Sequence, residues 1–188
     1  PGFLFGHFPL GQDLTMNDEK SMRGEGTQAA APEVPSAPVQ SEGDAMLAEN
    51  WDECLEIAKS QTREGAHALD VCVDYVGRDG AKDMREIAAR FATASTLPIM
   101  LDSTEPNVLQ AGLESLGGRC VINSVNYEDG DGPTSRFARI MPLVKEHGSA
   151  VVALTIDEEG QARTAEWKLR VARRLILDLT DNWGMNVG

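Results

Sequence analysis

Four short apolar runs constrain this chain more than any other feature. They are LDVCVD (69–74), IMLD (99–102), CVIN (120–123) and VVALTID (151–157). Their apolar residues run on instead of alternating with polar ones, so these strands would be covered on both faces. Helical spacing follows each run: Met84, Ile87, Ala88 and Phe91 behind a capping Asp79; Leu109, Gly112, Leu113 and Leu116, closed by Gly117-Gly118; Phe137, Ile140, Met141 and Val144, with Pro142 able to kink the helix; and Trp167, Val171, Leu175 and Leu179. A further helix, with Leu47, Trp51, Cys54, Leu55 and Ala58 on one side, precedes the first strand and stops at Gly65. A helix followed by four strand–helix repeats predicts an α/β fold, a parallel sheet with covering helices. Right-handed crossovers wind such a sheet into an open doubly wound form or part of a (β/α)8 barrel. A whole barrel takes about 250 residues, so this alternation supplies about half of one.

Residues 1–43 read differently. The stretch AAAPEVPSAPVQSEG is rich in Ala, Pro and Ser with no apolar period, and a flexible N-terminal segment is expected there. The domain is expected over 44–188. Aromatics make up only 5% of the 188 residues, so the core has to be aliphatic. A net charge of −13 would repel phosphate backbones, which argues against nucleic acid as a partner. No run approaches the roughly 18–20 apolar residues of a membrane span, and the aromatic start PGFLFGHFPLG lacks the basic region of a signal peptide. Cys54, Cys72 and Cys120 are isolated in apolar contexts and predict reduced core thiols in a cytoplasmic protein. No His-x-His pairing suggests a metal, and no metal is expected.

The strand ends carry the functional signal. Asp74, Asp102, Asn123 and Asp157 each fall near the C-terminal end of a run, the edge at which parallel α/β folds build their sites. Carboxylates accept N–H groups, and an amide both donates and accepts, so this set suits a neutral or weakly basic heterocycle. Residues of these types also cap helices and bind loop amides, which is the competing reading at each position.

Three blocks, LDVCVDYVGRDG, PIMLDSTEPNVLQAGLESLGGRCVINSVNYEDG and AVVALTIDEEGQART, resemble the pterin-binding (methyltetrahydrofolate) domain of the cobalamin-dependent methionine synthase family. The resemblance covers about residues 44–185 and extends more loosely to corrinoid methyltransferases and dihydropteroate synthases. It implies a (β/α)8 barrel with a pterin pocket at its C-terminal face. It also implies methyl transfer from N5 of methyltetrahydrofolate to cob(I)alamin held on a separate domain or chain. By the same resemblance Asp102 and Asn123 hydrogen-bond the pterin and act in catalysis, while Asp157 and Asp74 are pocket candidates from strand position alone. The family's Gly-Glu-Arg-Thr-Asn signature is replaced by Gly24-Glu25-Gly26-Thr27-Gln28. The strands beyond the fourth run, the cobalamin-binding Asp-x-His-x-x-Gly motif and a zinc-cysteine homocysteine module are not found in this sequence. Whether the chain alone is an enzyme therefore stays open. The alternatives are a truncated, non-catalytic fragment acting in assembly, or another barrel enzyme, dihydropteroate-synthase-like or metal-dependent. An incomplete barrel is further expected to self-associate through its open edges or to be marginally stable.

Overall fold

The computed structural model describes residues 42–186. The Pro/Ala-rich segment, up to residue 41, lies outside them, as does Glu25. Six helices and six strands follow in the order α1 (Glu42–Leu47), α2 (Trp51–Arg63), β1 (Leu69–Cys72), α3 (Gly80–Ala94), β2 (Ile99–Asp102), α4 (Pro106–Ser115), β3 (Val121–Val125), α5 (Arg136–His147), β4 (Ala150–Ala153), β5 (Ile156–Asp157), β6 (Gly160–Gln161) and α6 (Ala165–Leu177), which a π-helical segment, Asp178–Asn182, extends.

Side-chain caps start the helices where the sequence marks them. Asp79 accepts the Lys82 amide at 3.1 Å, Ser135 the Ala138 amide at 3.1 Å and Thr164 the Trp167 amide at 3.3 Å, each satisfying an orphan donor of a first turn. Helix α4 places Pro106 at its first turn, where no N–H is needed. Helix α5 continues through Pro142 and ends on Gly148, whose φ of +62° suits a residue without Cβ.

Strands β1 to β4 form one parallel sheet in sequence order, so each crossover returns the chain to the adjacent position. This is the expected partial (β/α)8 arrangement. Because side chains alternate across a strand, Leu69, Val71, Leu101 and Ile122 share one face, and all four are buried in the main apolar cluster. Helices α3 and α4 press closely on that face. A Cβ on Gly112 of α4 would stand 2.9 Å from Leu101 and 3.1 Å from Met84 of α3. Cys54, Cys72 and Cys120 are buried, as expected of core thiols, and no disulfide joins them.

The fourth run departs from expectation. Instead of one strand through Asp157, β4 ends at Ala153. The Leu154 amide still bonds Val125 of β3 at 3.0 Å, but the Ile156 amide then bonds the Leu154 carbonyl at 2.8 Å. That tight turn takes the chain out of the sheet and into the antiparallel hairpin β5–β6. Among the described residues, no helix is long and apolar enough to cross a membrane.

Candidate functional site

The face of the sheet opposite the helices carries the polar residues. Register pairing aligns Cys72, Asp102, Asn123 and Val152 in one row across β1 to β4; Asp70, Met100, Val121 and Ala150 form the row before it. Asp102 and Asn123 are thus direct neighbours, with backbones about 4.8 Å apart, and their side chains leave the sheet on the same side. Both are half-buried. In a (β/α)8 barrel this face is the inner one, and Asp102 ends its strand, toward the C-terminal rim.

Electrostatics set Asp102 apart. Partial burial, and then the negative charge of Asp74, push its pKa above the ordinary carboxylate range. No described residue donates a hydrogen bond to its side chain, so both oxygens are available to a ligand. The result is a half-dry carboxylate beside an amide, able to accept N–H groups from a flat polar ring.

Behind this pair stands Asp70, which the strand-end argument passed over. It lies on the same face in the preceding row and is only 9% exposed. Burial first, then the neighbouring Asp102, raise its pKa to about 6, against the opposing influence of the Asn123 side chain. Its Oδ1 is buried without a hydrogen-bond partner among the described residues. Its sequence signal is an acid inside the apolar run HALDVCV; the register of β1 on β2 puts it on the face that carries Asp102.

The other two candidates have protein partners. The Asp74 carboxylate accepts the Ser103 hydroxyl at 2.8 and 3.0 Å and the Thr104 amide at 3.0 Å. It therefore anchors the loop that leaves β2, at the same rim as Asp102. Asp157 lies in the β5–β6 hairpin, outside the four-stranded sheet. It accepts the Trp167 indole N–H at 2.9 Å and the Glu159 amide at 3.1 Å, with Arg170 at 3.4 Å. These donors, the indole first, hold its pKa below the ordinary value. The same side of α6 grips the rest of the hairpin. Arg170 meets Glu159 at 2.9 Å, while Arg174 meets Glu158 at 2.9 Å and lies 4.0 Å from the Tyr127 ring centroid. The structure thus brings Asp102, Asn123 and Asp70 together, sets Asp74 beside them, and fastens Asp157 to α6.

A cavity of about 880 Å³ opens between α5 and α6, lined by Tyr127, Phe137, Arg173, Arg174 and Trp183 among others. It includes none of the sheet-face residues, and its arginine Arg174 is already neutralised by Glu158 and Asp131. The described residues hold no group of three or more His, Cys, Asp or Glu able to bind a metal ion.

The family model described as "Pterin binding enzyme" matches residues 40–187. The chain is similar to methionine synthase of Mycobacterium tuberculosis, with 72% identity over 143 residues, and to methionine synthase of Mycobacterium leprae, with 71% identity over 143 residues. Each match covers 76% of this chain but 12% of the relative, so the chain spans only a small part of those proteins.

Proposed function

Because the chain belongs to the family of pterin-binding enzymes, we propose that it binds methyltetrahydrofolate on the inner face of its sheet and presents the N5 methyl group for transfer to cob(I)alamin. The observation that carries this reading is the register pairing of Asp102 with Asn123 on that face. The similarity to two methionine synthases supports the choice of substrate and a place in methionine biosynthesis. Cobalamin, which supplies the nucleophile, would sit on a separate domain or chain. The work is cytoplasmic in this reading.

The chemistry asks two things of these side chains. N5 is a poor leaving group until it gains a proton, so groups that favour protonation as the methyl group departs give general-acid assistance. A flat ring must also be held in a single orientation against the incoming nucleophile. Asp102 and Asn123 would hold the ring by its N–H groups and contribute to the polar network around it. Asp74 stiffens the rim through Ser103 and Thr104. Asp157, fastened to Trp167, would reach a pterin only from the edge of the pocket. The open sheet edges further favour association with a cobalamin-binding domain or with a second copy of the chain.

Titration calorimetry with methyltetrahydrofolate tests the reading. Binding is expected, with each of Asp102→Ala and Asn123→Ala weakening it by about ten-fold or more, the loss of a hydrogen bond to a partly buried polar ring. No heat at high micromolar ligand, with the variants indistinguishable from the parent, would remove pterin binding from this chain.

A further inference from the structure

We propose a second binding site, for a small organic anion, at the end of the sheet opposite Asp102: Arg119, Lys145 and Ser149 hold a carboxylate or phosphate group whose apolar body rests against Trp183 and Met185. The inference is independent of the pterin reading and goes beyond it.

The site is built where two neighbouring strands begin. The Ala150 amide bonds the Cys120 carbonyl at 2.9 Å, so Arg119 and Ser149, each one residue earlier, lead side by side into β3 and β4. Helix α5 comes down to the same place. Its Met141, Val144, Lys145 and Gly148 recur at helical spacing and together form one wall. The chain after α6 forms another. The amides of Trp183, Gly184 and Met185 bond the carbonyls of Asp178, Thr180 and Leu179 at 3.2, 3.1 and 2.9 Å, which fixes Trp183 and Met185 in place. Between these walls lies a cavity of about 390 Å³, within the range of pockets that hold small ligands.

Its charge is the reverse of the molecule's. The chain carries 30 acidic residues against 17 Lys and Arg, yet no Asp or Glu lines this cavity. Arg78, Arg136, Arg170 and Arg174 are each held by carboxylates. The side chains of Arg119 and Lys145, by contrast, have no ion-pair or hydrogen-bond partner among the described residues. Ser149, in the wall beside them, is 3% exposed, and its Oγ is buried without a hydrogen-bond partner there. A buried hydroxyl left in that state is costly, and an oxyanion is an acceptor that would satisfy it. Attraction of a cation to the C-terminal carbonyls of α5 accounts for Lys145. It does not account for Arg119, which precedes another element, or for the unpaired hydroxyl. Arg supplies a planar fork that matches a carboxylate or phosphate, and Lys a point charge. The Trp183 ring, with Met141, Val144 and Met185, supplies an apolar bed for the body of the ligand.

The test uses the full chain and three probes: phenyl phosphate, benzoate and, as the uncharged control, benzyl alcohol. Each is titrated at millimolar concentration while proton–nitrogen NMR follows the Trp183 indole and the Gly184 and Met185 amides. Saturable shifts with phenyl phosphate or benzoate are expected, with none from benzyl alcohol and weaker binding as sodium chloride is raised. The tighter of the two anions identifies the headgroup. Arg119→Gln should weaken binding about ten-fold, as loss of a hydrogen bond to a charged group does. Ser149→Ala should also weaken it, while leaving the ligand-free melting temperature unchanged or higher, because the hydroxyl it removes has no partner in the described fold. No saturable shift with either anion, equal binding of benzyl alcohol, or an affinity unchanged in Arg119→Gln would overturn the site. Methyltetrahydrofolate binding should persist in Arg119→Gln, so the failure of either reading leaves the other standing.

Discussion

Asp70 carries a cost to stability that its placement makes legible. Its folded pKa of about 6 stands above the ~3.9 of an aspartate in an unfolded chain. Between those values the folded state binds more protons than the unfolded state, so this group's contribution to stability falls as pH rises through that window. Above pH 6 the ionised form weakens the fold by up to roughly 2 kcal/mol once solvent screening is allowed for. Asp70→Asn should therefore raise the melting temperature at pH 7 and flatten its decline between pH 4.5 and 7, as thermal denaturation at a series of pH values would read. A lowered melting temperature at pH 7 would mean that the charge supports the fold. Asp74 makes the opposite prediction. Removing its carboxylate leaves the buried Ser103 hydroxyl and the Thr104 amide without that acceptor, so Asp74→Ala should cost about 1–2 kcal/mol in denaturant unfolding.

At the scale of elements, the close approach of α4 to the sheet is the most sensitive contact. Gly112 has no room for a side chain: Leu101, which a Cβ would meet at 2.9 Å, is itself fully buried and has nowhere to move. Gly112→Val should destabilise by about 1–3 kcal/mol, seen as a lower urea midpoint with an unchanged slope, whereas an unaltered midpoint would mean that α4 can lift away freely. The sequence exposed much of this layer. Continuous apolar runs announced a parallel sheet, and Asp79 and Gly65 marked helix ends, because caps and burial are written in local residue types. Asp102 was legible as a strand end for the same reason; Asn123, expected to end its strand, lies in the middle of β3, which runs on to Val125, and register made the two neighbours. Asp70 and the hairpin were not. Asp70 required the register of three strands, not the end of one. The break after Ala153 is a single turn bond inside an apolar run, and composition alone cannot distinguish that from a continuing strand. Asp157 moved with it, because the DEEG turn delivers its carboxylate to Trp167 and Arg170.

For the whole molecule, the question is what governs association at the open edges of the described sheet. Among the described residues β1 and β4 each pair on one side only, and a (β/α)8 barrel would continue past both. Unpaired strand edges invite another chain. The apolar surface of α6 adds to this, with Leu169 71% exposed and Ile176 48% exposed. Against it stands a net charge of −13, which keeps copies apart at low ionic strength. The two forces respond oppositely to salt. Charge repulsion is screened over about 10 Å at 0.1 M and about 3 Å at 1 M, whereas apolar contact is not weakened. Association should therefore rise with sodium chloride in sedimentation equilibrium. Leu169→Glu combined with Ile176→Glu should suppress that rise by placing charge on the exposed side of α6, while leaving the far-ultraviolet circular dichroism spectrum unchanged. Association that falls with salt would point instead to ion pairs between copies, and a monodisperse monomer at every salt concentration, melting cooperatively at high temperature, would mean that the open edges are protected without a partner.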